Sequence, residues 1–137
     1  MFSAFSEIRP PAAAPVQIYG VVIGEICAFF RKQIERAVNC GVSPGKIIVD
    51  PGLGAFVSKD PAYSWEILAG LSQFRELGID NPIMVGPSRK GFLGGALSAR
   101  DPLSQLAALM AVRNGANLVR THNVQMATNL FSDCVIR

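Results

Sequence analysis

Three short apolar runs punctuate the chain, and each stops at polar residues. Ile47-Ile48-Val49 runs into Asp50-Pro51-Gly52-Leu53-Gly54. Ile83-Met84-Val85 runs into Gly86-Pro87-Ser88-Arg89-Lys90, and Asn117-Leu118-Val119 into Arg120-Thr121-His122. Short continuous apolar runs bounded by turn residues fit buried strands of a parallel sheet. Lys46 to Asp50 reads as the first strand. Between the runs the period becomes helical. Val22, Ile26, Phe29, Phe30, Ile34, Ala37 and Val38 recur at helical spacing from about Val21 to Asn39, with Arg31, Lys32, Glu35 and Arg36 between them. Gly41 supplies a stop, and Ser43-Pro44-Gly45 a turn. Asp60-Pro61 predicts the start of a second helix, with Asp60 as N-cap and Pro61 in the first helical position. Its apolar face is Trp65, Ile67, Leu68, Leu71 and Phe74, and Gly78 ends it. Asp101-Pro102 repeats that start, and Leu103, Leu106, Leu109, Met110 and Val112 predict a third buried face. Gly91 to Ala99 reads as loop or broken turn around Gly94-Gly95, and Met126 to Val135 as a final helix.

Helices alternating with short strands imply an α/β fold with parallel strands and right-handed crossovers. In such a sheet the polar strand ends all face the same way, so the three ends are expected to share one site. Three strands are few for a closed architecture and leave both sheet edges unpaired, so the chain reads as part of something larger. Met1 to about Pro15 shows no period, and Arg9-Pro10-Pro11 and Ala14-Pro15 block helix. The expected organisation is an irregular leader over 1–18 and a folded portion over 19–137.

The residues at the strand ends carry the candidate chemistry. Asp50 precedes glycines that let backbone approach a ligand closely, and a carboxylate there accepts paired N–H donors from a planar heterocycle. A turn or N-cap aspartate is the competing reading of the same residues. Ser88-Arg89-Lys90 gains meaning from following a buried strand, since the tripeptide alone also suits a solvated loop. Lys90 has the length to span a ring face with its ammonium at a polar edge. Arg120 and His122, two residues apart, fall on one face of extended backbone and suit an anionic leaving group such as phosphate or pyrophosphate. A packed or solvated histidine fits His122 equally well. Phe56 and Phe92 each follow a strand-end motif and either wall an apolar pocket or cap the core.

Composition narrows the classes. The chain has 137 residues, half of them apolar and 17% charged, which suits one folded domain rather than a disordered segment. A net charge of +3 without a Lys/Arg run does not argue for nucleic acid. No apolar run is long enough to span a membrane, and no signal peptide is expected. Cys27, Cys40 and Cys134 are odd in number and lack metal spacing, which points to a reduced, cytoplasmic setting. Cys27 and Cys40 read as core filler.

Taken in order, Ile47-Ile48-Val49-Asp50-Pro51-Gly52-Leu53-Gly54, Ser88-Arg89-Lys90-Gly91-Phe92-Leu93-Gly94 and Val119-Arg120-Thr121-His122 resemble dihydropteroate synthase. The resemblance covers roughly Tyr19 to Val135 and implies a partial (β/α)8 TIM barrel, its last three strand-helix units. It implies condensation of 4-aminobenzoate with the pterin methyl diphosphate, releasing pyrophosphate with Mg2+. It assigns Asp50 to the pterin amino and ring nitrogens, Lys90 to the pterin, Ser88 to the aminobenzoate, and Arg120 and His122 to the pyrophosphate. Where many members continue Phe-Gly-Lys after the equivalent of Gly54, this chain has Ala55-Phe56-Val57-Ser58, so Phe56 is the expected aminobenzoate wall, shifted by one. Family members are usually homodimers. Two further readings are a pterin-binding methyltransferase acting on a corrinoid, against which the Ser-Arg-Lys and Arg-x-His motifs argue, and an inactive remnant that pairs with another chain through its open edges.

Overall fold

The structure is a computed structural model and describes residues 21–133; the leader expected over 1–18, Cys134 and the end of the last helix lie outside them. The described residues form five α-helices, α1 (Val22–Asn39), α2 (Pro61–Ala69), α3 (Ser72–Glu76), α4 (Arg100–Arg113) and α5 (Val124–Asp133), with extended segments after α1, α3 and α4. Two of these form the parallel strands β1 (Met84–Val85) and β2 (Leu118–Val119). Val49 adds a third parallel partner through a single bridge to Ile83.

The first strand is thus shorter than the apolar run predicted. A single turn at Pro44–Lys46 takes up its start, and Asp50 turns away at its end by accepting the Gly52 N–H at 2.9 Å. Ladder bonds remain between, with Val49 N–H donating to Pro82 O at 3.0 Å and Met84 N–H to Val49 O at 2.8 Å. Side-chain amides complete the strand starts. The Ile83 N–H donates to Asn117 Oδ1 at 2.9 Å, and Asn81 Nδ2 donates to Ile47 O at 3.2 Å.

The helices cover one face of these strands. Val49, Ile83 and Val85 point into a core with Val22, Ile23, Cys27 and Phe30 of α1, Ile67 and Leu68 of α2, and Phe74 of α3. The helix predicted to run unbroken to Gly78 is interrupted at Gly70-Leu71. Asp60 caps α2 as expected, accepting the Ala62 N–H at 2.9 Å, with Pro61 opening the first turn. At Gly70 the chain passes close to α1: a Cβ there would sit 2.2 Å from Ile23 Cδ1.

Five further expectations are corrected. Asp101 does not cap α4, whose first residue is Arg100; its carboxylate binds Arg89 instead. The α4 leucine stripe is not the buried one. Ser104, Gln105, Ala107, Ala108 and Ala111 face the core, whereas Leu106 is 61% exposed and Leu103 also reaches the surface. Small residues allow α4 to lie close to its neighbours, and that close packing outweighed the larger apolar side chains. Cys27 is core, but Cys40 is exposed beyond the end of α1, and Trp65 is partly exposed while its ring meets Phe92 edge-on at 5.2 Å. The final helix begins at Val124, two residues earlier than its pattern suggested, because Asn123 Oδ1 accepts the Met126 N–H at 3.0 Å and caps it.

Candidate functional site at the strand ends

Register decides which side chains meet. Met84 lies opposite Leu118, Val85 opposite Val119, and Val49 opposite Ile83. Side chains alternate along a strand, so Asp50, Met84 and Leu118 share the face that the helices leave open, and Gly86 and Arg120 continue it one step on. Leu118 is 40% exposed there, as is Ile48, which precedes Asp50 by two residues.

The first loop is held from below. Gly52 and Gly54 take positive φ (74° and 64°), a conformation L residues rarely adopt. The Gly54 N–H donates to the fully buried Ser64 Oγ at 2.8 Å, and the buried Leu53 side chain anchors the turn in the core. The Leu53 carbonyl is left facing the second loop, where Lys90 Nζ donates to it at 3.0 Å. The same ammonium lies 4.7 Å from the centroid of Phe56, a residue 51% exposed at the mouth. Phe92, by contrast, is core.

Burial pushes the Lys90 ammonium down to about 8; the Asp50 carboxylate opposes this and the Arg120 guanidinium adds to it. Groups from the first and third strand ends therefore both bear on Lys90 at the second. Arg120 folds over Gly86, where an added Cβ would fall 2.9 Å from its Nη2. His122 Nδ1 and Ser88 Oγ form a hydrogen bond at 2.9 Å, and the His122 backbone N–H donates to the same hydroxyl at 3.1 Å. Of the six residues singled out, Lys90 meets Phe56 and the first loop, Ser88 meets His122, and Asp50 and Arg120 flank Lys90.

Arg89 is different. It turns away with φ 58°, the only non-glycine residue with positive φ among the described residues. Its Nε and Nη2 grip Asp101 Oδ1 and Oδ2 at 2.7 and 2.9 Å. The hydrogen bond from Arg89 holds the Asp101 carboxyl down to about 2, and Asn123 and the His122 charge act in the same direction. Sequence reasoning missed Ser64, Asp101 and Asn123. Each is a lone polar residue whose partner is distant in sequence, and Asp101 carried only the misleading signal of a helix cap.

An open groove of about 600 Å3 lies beside the site, lined by Val112, Val119, Arg120, Ala127 and Phe131 among others. It shares Arg120 with the strand-end cluster but contains neither Asp50 nor Lys90. Among the described residues no group of three or more His, Cys, Asp or Glu side chains could hold a metal ion. No described helix is long and apolar enough to cross a membrane.

The family profile of pterin binding enzymes matches residues 6–122. The chain belongs to the pterin-binding enzyme family. The match takes in all three strand-end motifs, and it begins within the stretch 1–18. The dihydropteroate synthase of Synechocystis sp. is 38% identical over 112 residues, 78% of this chain and 37% of the relative. The solved dihydropteroate synthase from Xanthomonas albilineans in complex with 7,8-dihydropteroate superposes with a TM-score of 0.79 at 30% identity, covering 87% of this chain and 46% of that one. The same enzyme with 4-aminobenzoic acid gives a TM-score of 0.78 at 30% identity over 90% of this chain and 45% of that one. The fold is of the TIM-barrel type found in these neighbours, and the chain spans less than half the length of each.

Proposed function

We propose that this chain is the carboxy-terminal portion of a dihydropteroate synthase-type enzyme, contributing the last three strand-helix units of its barrel over about 19–137. In this reading its strand ends form part of the site that joins 4-aminobenzoate to a dihydropterin methyl diphosphate. The observation that carries the reading is the arrival of Asp50, Ser88, Lys90, Arg120 and His122 at the same end of three parallel strands, with Ser88 bonded to His122 and Lys90 lying between Asp50 and Arg120.

Asp50 uses Oδ1 for Gly52, and Oδ2 has no hydrogen-bond donor among the described residues. That oxygen is free to accept an N–H of the pterin. Lys90 lies against the ring, and Phe56 and Ser88 border the aminobenzoate. The aminobenzoate nitrogen attacks the pterin methylene, the carbon–oxygen bond to the diphosphate breaks, and the nitrogen gives up a proton. Arg120 and His122 stabilise the charge that collects on the departing pyrophosphate, as preorganised cations do for developing charge. The magnesium that the resemblance implies has no group of three or more His, Cys, Asp or Glu side chains to hold it among the described residues. The reading carries with it a cytoplasmic setting and a homodimer of the complete enzyme.

The test is calorimetry of the full 137-residue chain with the pterin methyl diphosphate, alone and mixed with the amino-terminal part of the Synechocystis relative. Binding in the mixture, lost in Lys90→Ala, is the expected result. Absence of binding both alone and in the mixture would overturn the proposal.

A further inference from the structure

The cluster around Asp101 lies outside the proposed site, yet it touches both of the loops that carry the site's cations. Its carboxylate takes both forks of Arg89, and its Oδ2 also accepts from Asn123 Nδ2 at 3.3 Å. Arg89 stands between Ser88 and Lys90, and Asn123 follows His122 directly. Arg89 holds the left-handed conformation at φ 58°, which disfavours any residue with a Cβ. That single twist sends Arg89 outward while Ser88 and Lys90 both reach the site. More bonds hold it there. The Arg89 N–H donates to Ser104 Oγ at 2.9 Å, and the Arg89 carbonyl accepts from Arg100 Nη1 at 3.1 Å. On the other side Asn123 is fixed by capping α5 through its Oδ1.

We infer that Asp101 is a positioning residue, which clamps the second strand-end loop to the third through Arg89 and Asn123 and so sets the spacing between Lys90 and the Ser88–His122 pair. An anion shared by these groups is bound well only if that spacing is held, since small misplacements of preorganised cations are expensive. A bidentate guanidinium fixes orientation as well as charge, and lysine cannot replace it. This inference rests on the proposed anion site, so its test needs one readout that does not use the anion.

The readouts are the affinity for inorganic pyrophosphate and the ring C2–H signal of His122, the chain's single histidine. They are measured on the full chain, for the parent, Arg89→Lys, Asp101→Asn, the double variant and Asn123→Ser. Arg89→Lys keeps both charges and loses the fork. Asn123→Ser keeps a good helix cap and loses the amide donor. The expected result is about tenfold weaker pyrophosphate binding in each single variant, with no further loss in the double, because the pair acts as one unit. The His122 signal moves at constant pH in Arg89→Lys and Asn123→Ser, while the thermal midpoint stays within about 4 °C of the parent. Pyrophosphate binding within twofold of the parent and an unmoved His122 signal in both variants would overturn the inference. If the parent itself binds no pyrophosphate, the anion reading of the site falls and the His122 signal decides alone. Movement then supports the clamp, and none overturns it.

Discussion

The two faces of the short sheet follow different rules. On the covered face Val49, Ile83 and Val85 share a buried apolar core with aromatic and aliphatic side chains from four helices. On the open face the same strands present Asp50, Gly86 and Arg120, and the polar groups there are held by loops rather than by packing. The difference teaches where stability and chemistry sit in this chain. Removing atoms from the covered face should unfold it, whereas removing charge from the open face should cost function and leave the fold intact.

The largest effect is expected at Phe74, which is fully buried and stacks at a tilt on Phe30 with centroids 6.1 Å apart. Phe74→Ala should destabilise by about 3–5 kcal/mol in urea denaturation, through lost transfer energy and the cavity left behind. Next is Ser64→Ala, which takes away the acceptor for the Gly54 N–H. A buried donor without a partner costs roughly 1–3 kcal/mol, and the loop that offers the Leu53 carbonyl to Lys90 should loosen with it. A variant as stable as the parent would mean that the first loop is held by something other than this bond.

Lys90→Met probes the open face and should act in the opposite direction on stability. In the fold Lys90 titrates at about 8, below its ordinary value of 10.5, chiefly because it is buried. Between those values the unfolded chain binds more protons, so stability rises with pH, and the penalty is fully present below about 8. Lys90→Met should flatten this slope and stabilise the chain at neutral pH by of order 1–3 kcal/mol, while abolishing anion binding. Denaturation curves at pH 7 and 10 check the sign. The smallest effect is at Asp101, whose carboxyl sits at about 2 against an ordinary 3.8. Its stabilising contribution is complete above the ordinary value and is lost as pH falls through about 2. Asp101→Asn should therefore flatten the acid-side decline and lower stability across the neutral range by the small amount a surface ion pair contributes, the two proteins converging as pH falls through about 2.

Much of the covered face could be read along the chain. The helical period placed α1 within a residue at each end, and the Asp60-Pro61 start of α2 was read correctly, because a cap and a fixed φ act within one turn. The same logic failed at Asp101-Pro102. A free cap position and a distant arginine compete for one carboxylate, and only the fold brings the arginine near. The α4 leucines misled for a related reason: periodicity marks an apolar stripe but not its direction, and the alanine stripe allows closer approach.

The sequence alone was enough for the alternation of helix and strand, the parallel direction, and the three strand ends where apolar residues give way to Asp50, Ser88, Lys90, Arg120 and His122. Those features come from local patterns repeated along the backbone. The tertiary structure decided which strand-end groups touch, that Lys90 is buried enough to lose basicity, and that Arg89 leaves the site for Asp101. Each of these depends on register and burial between segments roughly ten to forty residues apart, and no pattern within a single segment encodes that.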